Sequence, residues 1–148
     1  MIKIPIRVLI VDDEEDFVQM LSLRLKETGE KVFCANSGKK CLEILKQKSN
    51  EIDVVLLDIK MPGMDGMEIL SQIKKNYSLL EVIMLTGHGT TQTAVQGMKS
   101  GAFDYLLKPA DFNELKIKLE QARKRKEEQE ERIRKAEIKL MVRRSGDI

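Results

Sequence analysis

At 148 residues the chain has room for one domain of ordinary size plus an appendage, and not for two full domains. Hydrophobic residues make up 42% of it, enough for a core, yet no apolar run approaches the roughly 20 residues that cross a bilayer, which excludes a spanning helix. The charged share of 34% exceeds the roughly 25% of ordinary domains, and the excess is local: residues 111–148 hold 12 Lys+Arg and 9 Asp+Glu, against 14 and 15 in the preceding 110 residues.

The first aliphatic run, Arg7 to Val11, reads as a strand. It is apolar on consecutive residues, as in a parallel sheet covered on both faces. Asp12-Asp13-Glu14 cuts it off at once, which no signal-peptide core tolerates, so a cytoplasmic protein is expected. A helical stripe on Phe17, Leu21 and Leu25 follows and closes at Gly29. The second strand is Lys31 to Ala35, and Ser37 suits the N-cap of a helix carrying Cys41, Leu42 and Leu45. Cys34 and Cys41 lie in apolar-periodic stretches without metal-ligand spacing and are expected to be buried, reduced thiols.

The third strand, Asp53 to Leu57, leads into Asp58 and then the turn-rich stretch Met61-Pro62-Gly63-Met64-Asp65-Gly66, before a helix on Ile69, Leu70 and Ile73. A fourth strand, Val82 to Leu85, ends in Thr86-Gly87. The helix after it, roughly 90–100, has three threonines and an internal Gly97, which costs about 1 kcal/mol relative to Ala, so it is expected to move easily. The fifth strand, Phe103 to Leu107, runs into Lys108-Pro109, a candidate cis peptide. Asp111 suits the N-cap of the last helix. Phe112, Leu115, Leu119, Ala122, Lys126, Gln129, Ile133, Ala136, Leu140 and Arg143 recur there at spacings of three and four, a heptad seam. Its first part is expected to pack on the sheet. Its later part suits either a weak parallel coiled coil or a solvated helix leading to a further domain.

Five strands alternating with helices predict an α/β, doubly wound parallel sheet, whose ligands bind beyond the carboxyl ends of the strands. Those ends carry Asp12, Asp13, Asp58, Thr86 and Lys108. Carboxylates converging on one rim repel one another unless a cation offsets them, and oxygen ligands without His or thiolate suit Mg²⁺. Asp58, at a strand exit, can serve as a nucleophile toward phosphorus, and Lys108 and Thr86 can hold phosphoryl oxygens. Taken singly, each has a plainer use: acids favour a helix start, Asp an Asx turn, Thr a strand. Four strand ends each carrying the needed type is the stronger observation.

The spacing Asp12-Asp13, Asp58, Met61 through Gly66, Thr86-Gly87, Tyr105, Lys108-Pro109 resembles the receiver domain of bacterial two-component response regulators, over roughly Ile6 to Arg123. The segments Leu85 to Gly89 and Gly101 to Pro109 are similar to receivers of the nitrogen-regulation type. The resemblance implies a flavodoxin-like sheet of order 2-1-3-4-5, a receiver over 1–123 and a charged helical extension over 124–148. It implies phosphorylation of Asp58 by a histidine kinase or phosphotransfer protein, with Mg²⁺ held by Asp13, Asp58, the Lys60 backbone carbonyl and, through water, Asp12. It also implies that Thr86 and Tyr105 switch, shifting the face of the fourth helix, fifth strand and fifth helix. The output is expected to be transcriptional, through a missing or separate domain. Lys60 and His88 flank the site and are expected to set how easily water reaches the acyl phosphate.

The chain is thus expected to assist its own phosphorylation and dephosphorylation rather than act as an enzyme on other substrates. The alternative is an Mg²⁺-dependent phosphohydrolase with an aspartyl-phosphate intermediate. Such enzymes place the nucleophile and a second Asp two residues apart after the first strand, unlike Asp12-Asp13-Glu14 here. A homodimer through the last helix is possible. Direct nucleic-acid binding is not expected: the tail interleaves bases with acids and has no aromatic beyond Phe112.

Overall fold

The computed structural model describes residues 3–146; the ends of the expected segments at 1–2 and 147–148 lie outside them. The strands and helices are β1 (Arg7–Val11), α1 (Glu15–Glu27), β2 (Lys31–Ala35), α2 (Gly38–Lys48), β3 (Val54–Leu57), β4 (Lys60–Met61), β5 (Met64–Asp65), α3 (Gly66–Asn76), β6 (Glu81–Thr86), α4 (Thr91–Lys99), β7 (Asp104–Leu107) and α5 (Phe112–Ser145). The main sheet has the order β2-β1-β3-β6-β7, every neighbouring pair parallel. Counting its five strands alone gives the expected 2-1-3-4-5. The short β4 and β5 form a separate antiparallel ribbon.

Successive residues of each central strand point to opposite faces, which explains the unbroken apolar runs. Leu9, Val11, Val55, Leu57, Val82 and Met84 pack with Cys41 and Leu45 of α2 and with Ile69, Leu70 and Ile73 of α3. Val8, Ile10, Val54, Leu56, Ile83 and Leu85 pack with Leu21 and Leu25 of α1 and with Leu115, Leu119 and Ala122 of α5. Ser37 caps α2, and Gly29 and Gly101 take left-handed backbone after α1 and α4, as the sequence indicates.

Three local expectations need correcting. Cys41 is buried, and burial pushes its thiol up to about 12, but Cys34 is exposed because β2 is an edge strand. In α4, Thr90 and Thr93 do not weaken the helix start; they form a reciprocal capping box. Gly97 is there for proximity, since a Cβ would lie 2.7 Å from the Met84 sulfur. Gly97 is nevertheless the one residue of α4 that is buried, so the helix is thinly anchored, through packing rather than propensity.

The third correction concerns Lys126. The seam reading placed it in the part of the helix expected to be a weak coiled coil or solvated, but it is buried in the domain, with its Nζ 3.1 Å from Asp53 Oδ1. Asp53 also pairs with Arg7 at 2.9 Å. Two further buried acids lie at the same end of the sheet: Glu81 takes Arg125 at 2.5 Å, and Glu30 takes Lys116. α5 therefore gives one cation to each of three acids that sit at the starts of β2, β3 and β6. Past Lys126 the helix continues with Ile133 and Leu140 45% and 48% exposed.

Candidate functional site

The rim beyond the carboxyl ends of the strands gathers residues from four of the five sheet strands. Asp12 follows β1 and is buried; its backbone N–H donates to the Ala35 carbonyl at 3.0 Å, and its Oδ1 accepts the Glu14 N–H at 2.9 Å. Asp58 follows β3 and is 2% exposed; its N–H donates to the Val11 carbonyl at 3.0 Å, and its Oδ1 accepts the Lys60 N–H at 3.3 Å. Lys108 directly follows β7 and is joined to Pro109 by a cis peptide, and its N–H donates to the Thr86 carbonyl at 2.8 Å.

The Lys108 ammonium is the hub. It lies 2.6 Å from Asp12 Oδ2, 3.3 Å from Glu14 Oε1 and 3.6 Å from Asp58 Oδ2, while the Phe17 ring sits 4.1 Å beneath it. Burial works to strip the proton from Lys108, but the bond to Asp12 and the charges of Asp12 and Asp58 outweigh it, so its pKa is raised. Burial also pushes Asp12 up, and the charge of Asp58 adds to that. Lys108 and the Glu14 N–H pull the other way without cancelling it.

One carboxylate oxygen each from Asp12, Glu14 and Asp58 lie within 4.8 Å of one another. With one ammonium among three carboxylates, two negative charges stay uncompensated. That surplus and the all-oxygen donor set fit a hard divalent cation. Asp13 is exposed and is not in this group; Glu14, which the sequence reading used only as part of an acidic helix start, stands there instead. Lys60 is exposed beside Asp58 on the β4–β5 ribbon, and His88 is exposed in the loop after β6.

Thr86 is fully buried at the end of β6, and its Oγ1 accepts the His88 N–H at 3.2 Å. Tyr105, on β7, is half-buried and hydrogen-bonds through its hydroxyl to Thr93 Oγ1 at 3.1 Å. The sequence reading passed over Phe17 and Gly66 as site residues. Phe17 sits in an ordinary amphipathic stripe, so nothing in its spacing marks it. Gly66 opens α3, and a Cβ there would lie 2.5 Å from both Cα and the carbonyl oxygen of Ile59 and 2.8 Å from the Asp58 carbonyl. Backbone lies against backbone, so the Asp58 loop can close only over a glycine. Gly66→Ala is expected to cost about 3 kcal/mol, the upper part of the range for overpacking, and to displace Asp58. A urea unfolding midpoint compared with the wild type checks this.

A family model for the response regulator receiver domain matches residues 8–120. The chain belongs to that family. The receiver is 39% identical to the regulatory protein AtoC of Escherichia coli over 116 residues, which is 78% of this chain and 25% of AtoC. It is 44% identical to a putative NtrX-like response regulator of Rickettsia bellii over 119 residues, 79% of this chain and 24% of that protein. The chain thus spans about a quarter of the length of these relatives. Among solved structures it is similar to a receiver domain protein of Clostridium thermocellum, at 41% identity and a TM-score of 0.79 over 82% of this chain and 97% of that one. It is also similar to NtrX of Brucella abortus, at 30% identity and a TM-score of 0.78 over 86% of this chain and 29% of that one. The nitrogen-regulation likeness expected from the sequence is therefore present among its relatives.

Proposed function

We propose that this receiver is the phosphoacceptor of a two-component system and that Asp58 takes the phosphoryl group. The observation that carries the reading is one buried acceptor carboxylate, Asp58, within 3.6 Å of a half-buried lysine that also holds Asp12. A carboxylate oxygen of Asp58 attacks phosphorus, the bond to the donor's imidazole nitrogen breaks, and an acyl phosphate forms. Lys108 and Thr86 hold phosphoryl oxygens, so the protein's part is positioning and charge placement. Thr86 Oγ1 accepts the His88 N–H through a lone pair, and its own hydroxyl proton is the donor proposed for a phosphoryl oxygen.

Asp13, Asp58, the Lys60 carbonyl and, through water, Asp12 are the proposed Mg²⁺ holders, with Glu14 added by its place in the acid group. When bound, Mg²⁺ supplies the charge neutralisation that phosphoryl transfer needs.

The donor is a histidine kinase or phosphotransfer protein in the cytoplasm, and the output is transcriptional. Among the described residues no helix is long and apolar enough to cross a membrane. The receiver segment is proposed as 1–123 and the extension as 124–148, with Arg125 and Lys126, near the start of the extension, still docked on the receiver. Phosphorylation moves Thr86 and Tyr105 and re-forms the face of α4, β7 and α5, where Val95, Met98, Leu107 and Ile117 are all exposed. A second copy is a further partner, through the exposed part of α5. The test is incubation with acetyl phosphate and Mg²⁺, followed by intact mass. A gain of one phosphoryl group per chain that maps to Asp58 is expected; sustained turnover of the donor without a labelled chain supports a phosphohydrolase instead.

Lys60, whose N–H donates to Asp58, and His88, whose N–H donates to Thr86, are proposed to govern access of water to the acceptor. Lys60→Ala and His88→Ala are expected to change the half-life of the phosphorylated chain severalfold. An unchanged half-life in both removes that role.

A further inference from the structure

Tyr105 is tied to α4 in a way that the switching reading does not require. Its ring lies so close over Gly89 that a Cβ there would be 1.9 Å from the phenol oxygen. Its hydroxyl reaches Thr93 Oγ1, the same atom that accepts the Thr90 N–H at 2.9 Å and donates to the Thr90 carbonyl at 3.0 Å. A threonine hydroxyl has one proton and two lone pairs. With that proton on the Thr90 carbonyl and one lone pair on the Thr90 N–H, the remaining lone pair is open to the hydroxyls of Tyr105, at 3.1 Å, and of Thr90, at 3.2 Å. One side chain thus closes the helix cap and holds the aromatic of the neighbouring strand.

The segment between Thr86 and this cap is short: Gly87, His88 and Gly89 join them. Thr86 Oγ1 is engaged by the His88 N–H, and Gly89 is covered by Tyr105. A movement that turns Thr86 toward Asp58 pulls on His88, whose N–H it accepts, and through it on Gly89, so it works against the contact between Tyr105 and Thr93.

We propose that Thr93 is a positioning residue that latches Tyr105 to the first turn of α4, and that this latch opens when Asp58 is phosphorylated. The proposal rests on Asp58 as the acceptor. Losing one neutral hydrogen bond that is broken on switching is expected to tighten binding of a phosphoryl mimic about fivefold.

The experiment titrates the full chain with beryllium fluoride and Mg²⁺. Thr93→Val and Tyr105→Phe are each expected to bind the mimic about fivefold more tightly, and the double variant no more tightly than either. Thr93→Ser, which keeps the hydroxyl, is expected to match the wild type. Thr90→Ala, which removes a capping partner but not the bond to Tyr105, is expected to stay within about twofold of it. Full additivity in the double variant, or a Thr90→Ala shift equal to that of Thr93→Val, overturns the latch. If the wild type takes up no mimic, the Asp58 reading falls, and the latch is then read without it. Tyr77→Phe leaves Tyr105 as the sole tyrosine, so its 3-fluorotyrosine ¹⁹F resonance reports on this ring alone. Thr93→Val is expected to move that resonance while Thr93→Ser and Thr90→Ala leave it in place; an unmoved resonance in Thr93→Val overturns the latch.

Discussion

Asp58→Asn is expected to abolish phosphoryl incorporation from acetyl phosphate while leaving the chain folded. The carboxamide keeps the size of the side chain and can still accept the Lys60 N–H, but it is not a nucleophile toward phosphorus. The charge beside Lys108 falls by one, and Asp12, at 2.6 Å, remains to hold the ammonium. Lys108→Ala is the informative companion. It removes the cation that faces both buried acids, and its loss is expected to slow incorporation by about a hundredfold, the scale of losing one placed electrostatic donor at a transition state. Intact mass against time distinguishes the two: no gain at all for Asp58→Asn, a slow gain for Lys108→Ala. Incorporation at the wild-type rate in Asp58→Asn would place the acceptor elsewhere and sink the functional reading.

The second large effect lies at the opposite end of the sheet. Asp53→Ala is expected to destabilise the receiver by about 3 kcal/mol, because it leaves the buried ammonium of Lys126 without its main partner and Arg7 without its bidentate one. Lys126→Met should be close to neutral. It replaces a buried charge by an apolar chain of similar length, and Asp53 keeps Arg7. Urea midpoints of the two variants give the contrast, and equal losses in both would show that the pair contributes as a unit rather than through the stranded cation.

The same carboxylate has a pH signature. Burial alone raises the pKa of Asp53, but the guanidinium and backbone N–H of Arg7 and the ammonium of Lys126 more than reverse this and hold it below the ordinary carboxylate value. A pKa lowered by folding means that the stabilisation is fully present above the unfolded value of about 3.9 and is lost as pH falls through the lowered folded value. The wild type should therefore lose stability over that acid window, and Asp53→Asn should show a flatter profile there.

Much of this was written locally in the chain. Unbroken runs such as Val54 to Leu57 specify a strand covered on both faces, because every residue is apolar whichever way it points. Caps such as Ser37 and Asp111 act within three residues of themselves, so their chemistry is local by nature. The gathering of Asp12, Asp58, Thr86 and Lys108 toward one rim was legible for a related reason. A parallel sheet brings its strand exits to one rim whatever the side chains are, so the type of residue at each exit reveals the rim's chemistry.

Contacts between distant segments needed the folded chain. Gly66 and Gly97 look like turn and helix-breaking signals in sequence; their use is to let backbone meet the Asp58 loop and α4 approach Met84. Cys34 has the neighbours of a core residue but lies on an edge strand, and edge position is a property of the sheet order rather than of the strand. Lys126 fits a heptad, yet an acid 73 residues earlier in the chain draws it into the domain. Glu14 rather than Asp13 stands among the clustered acids because the turn into α1 decides which carboxylate faces Lys108. Periodicity reports which face of an element is apolar. Which charge meets which depends on packing across the sheet, and that was settled only when the strands and helices came together.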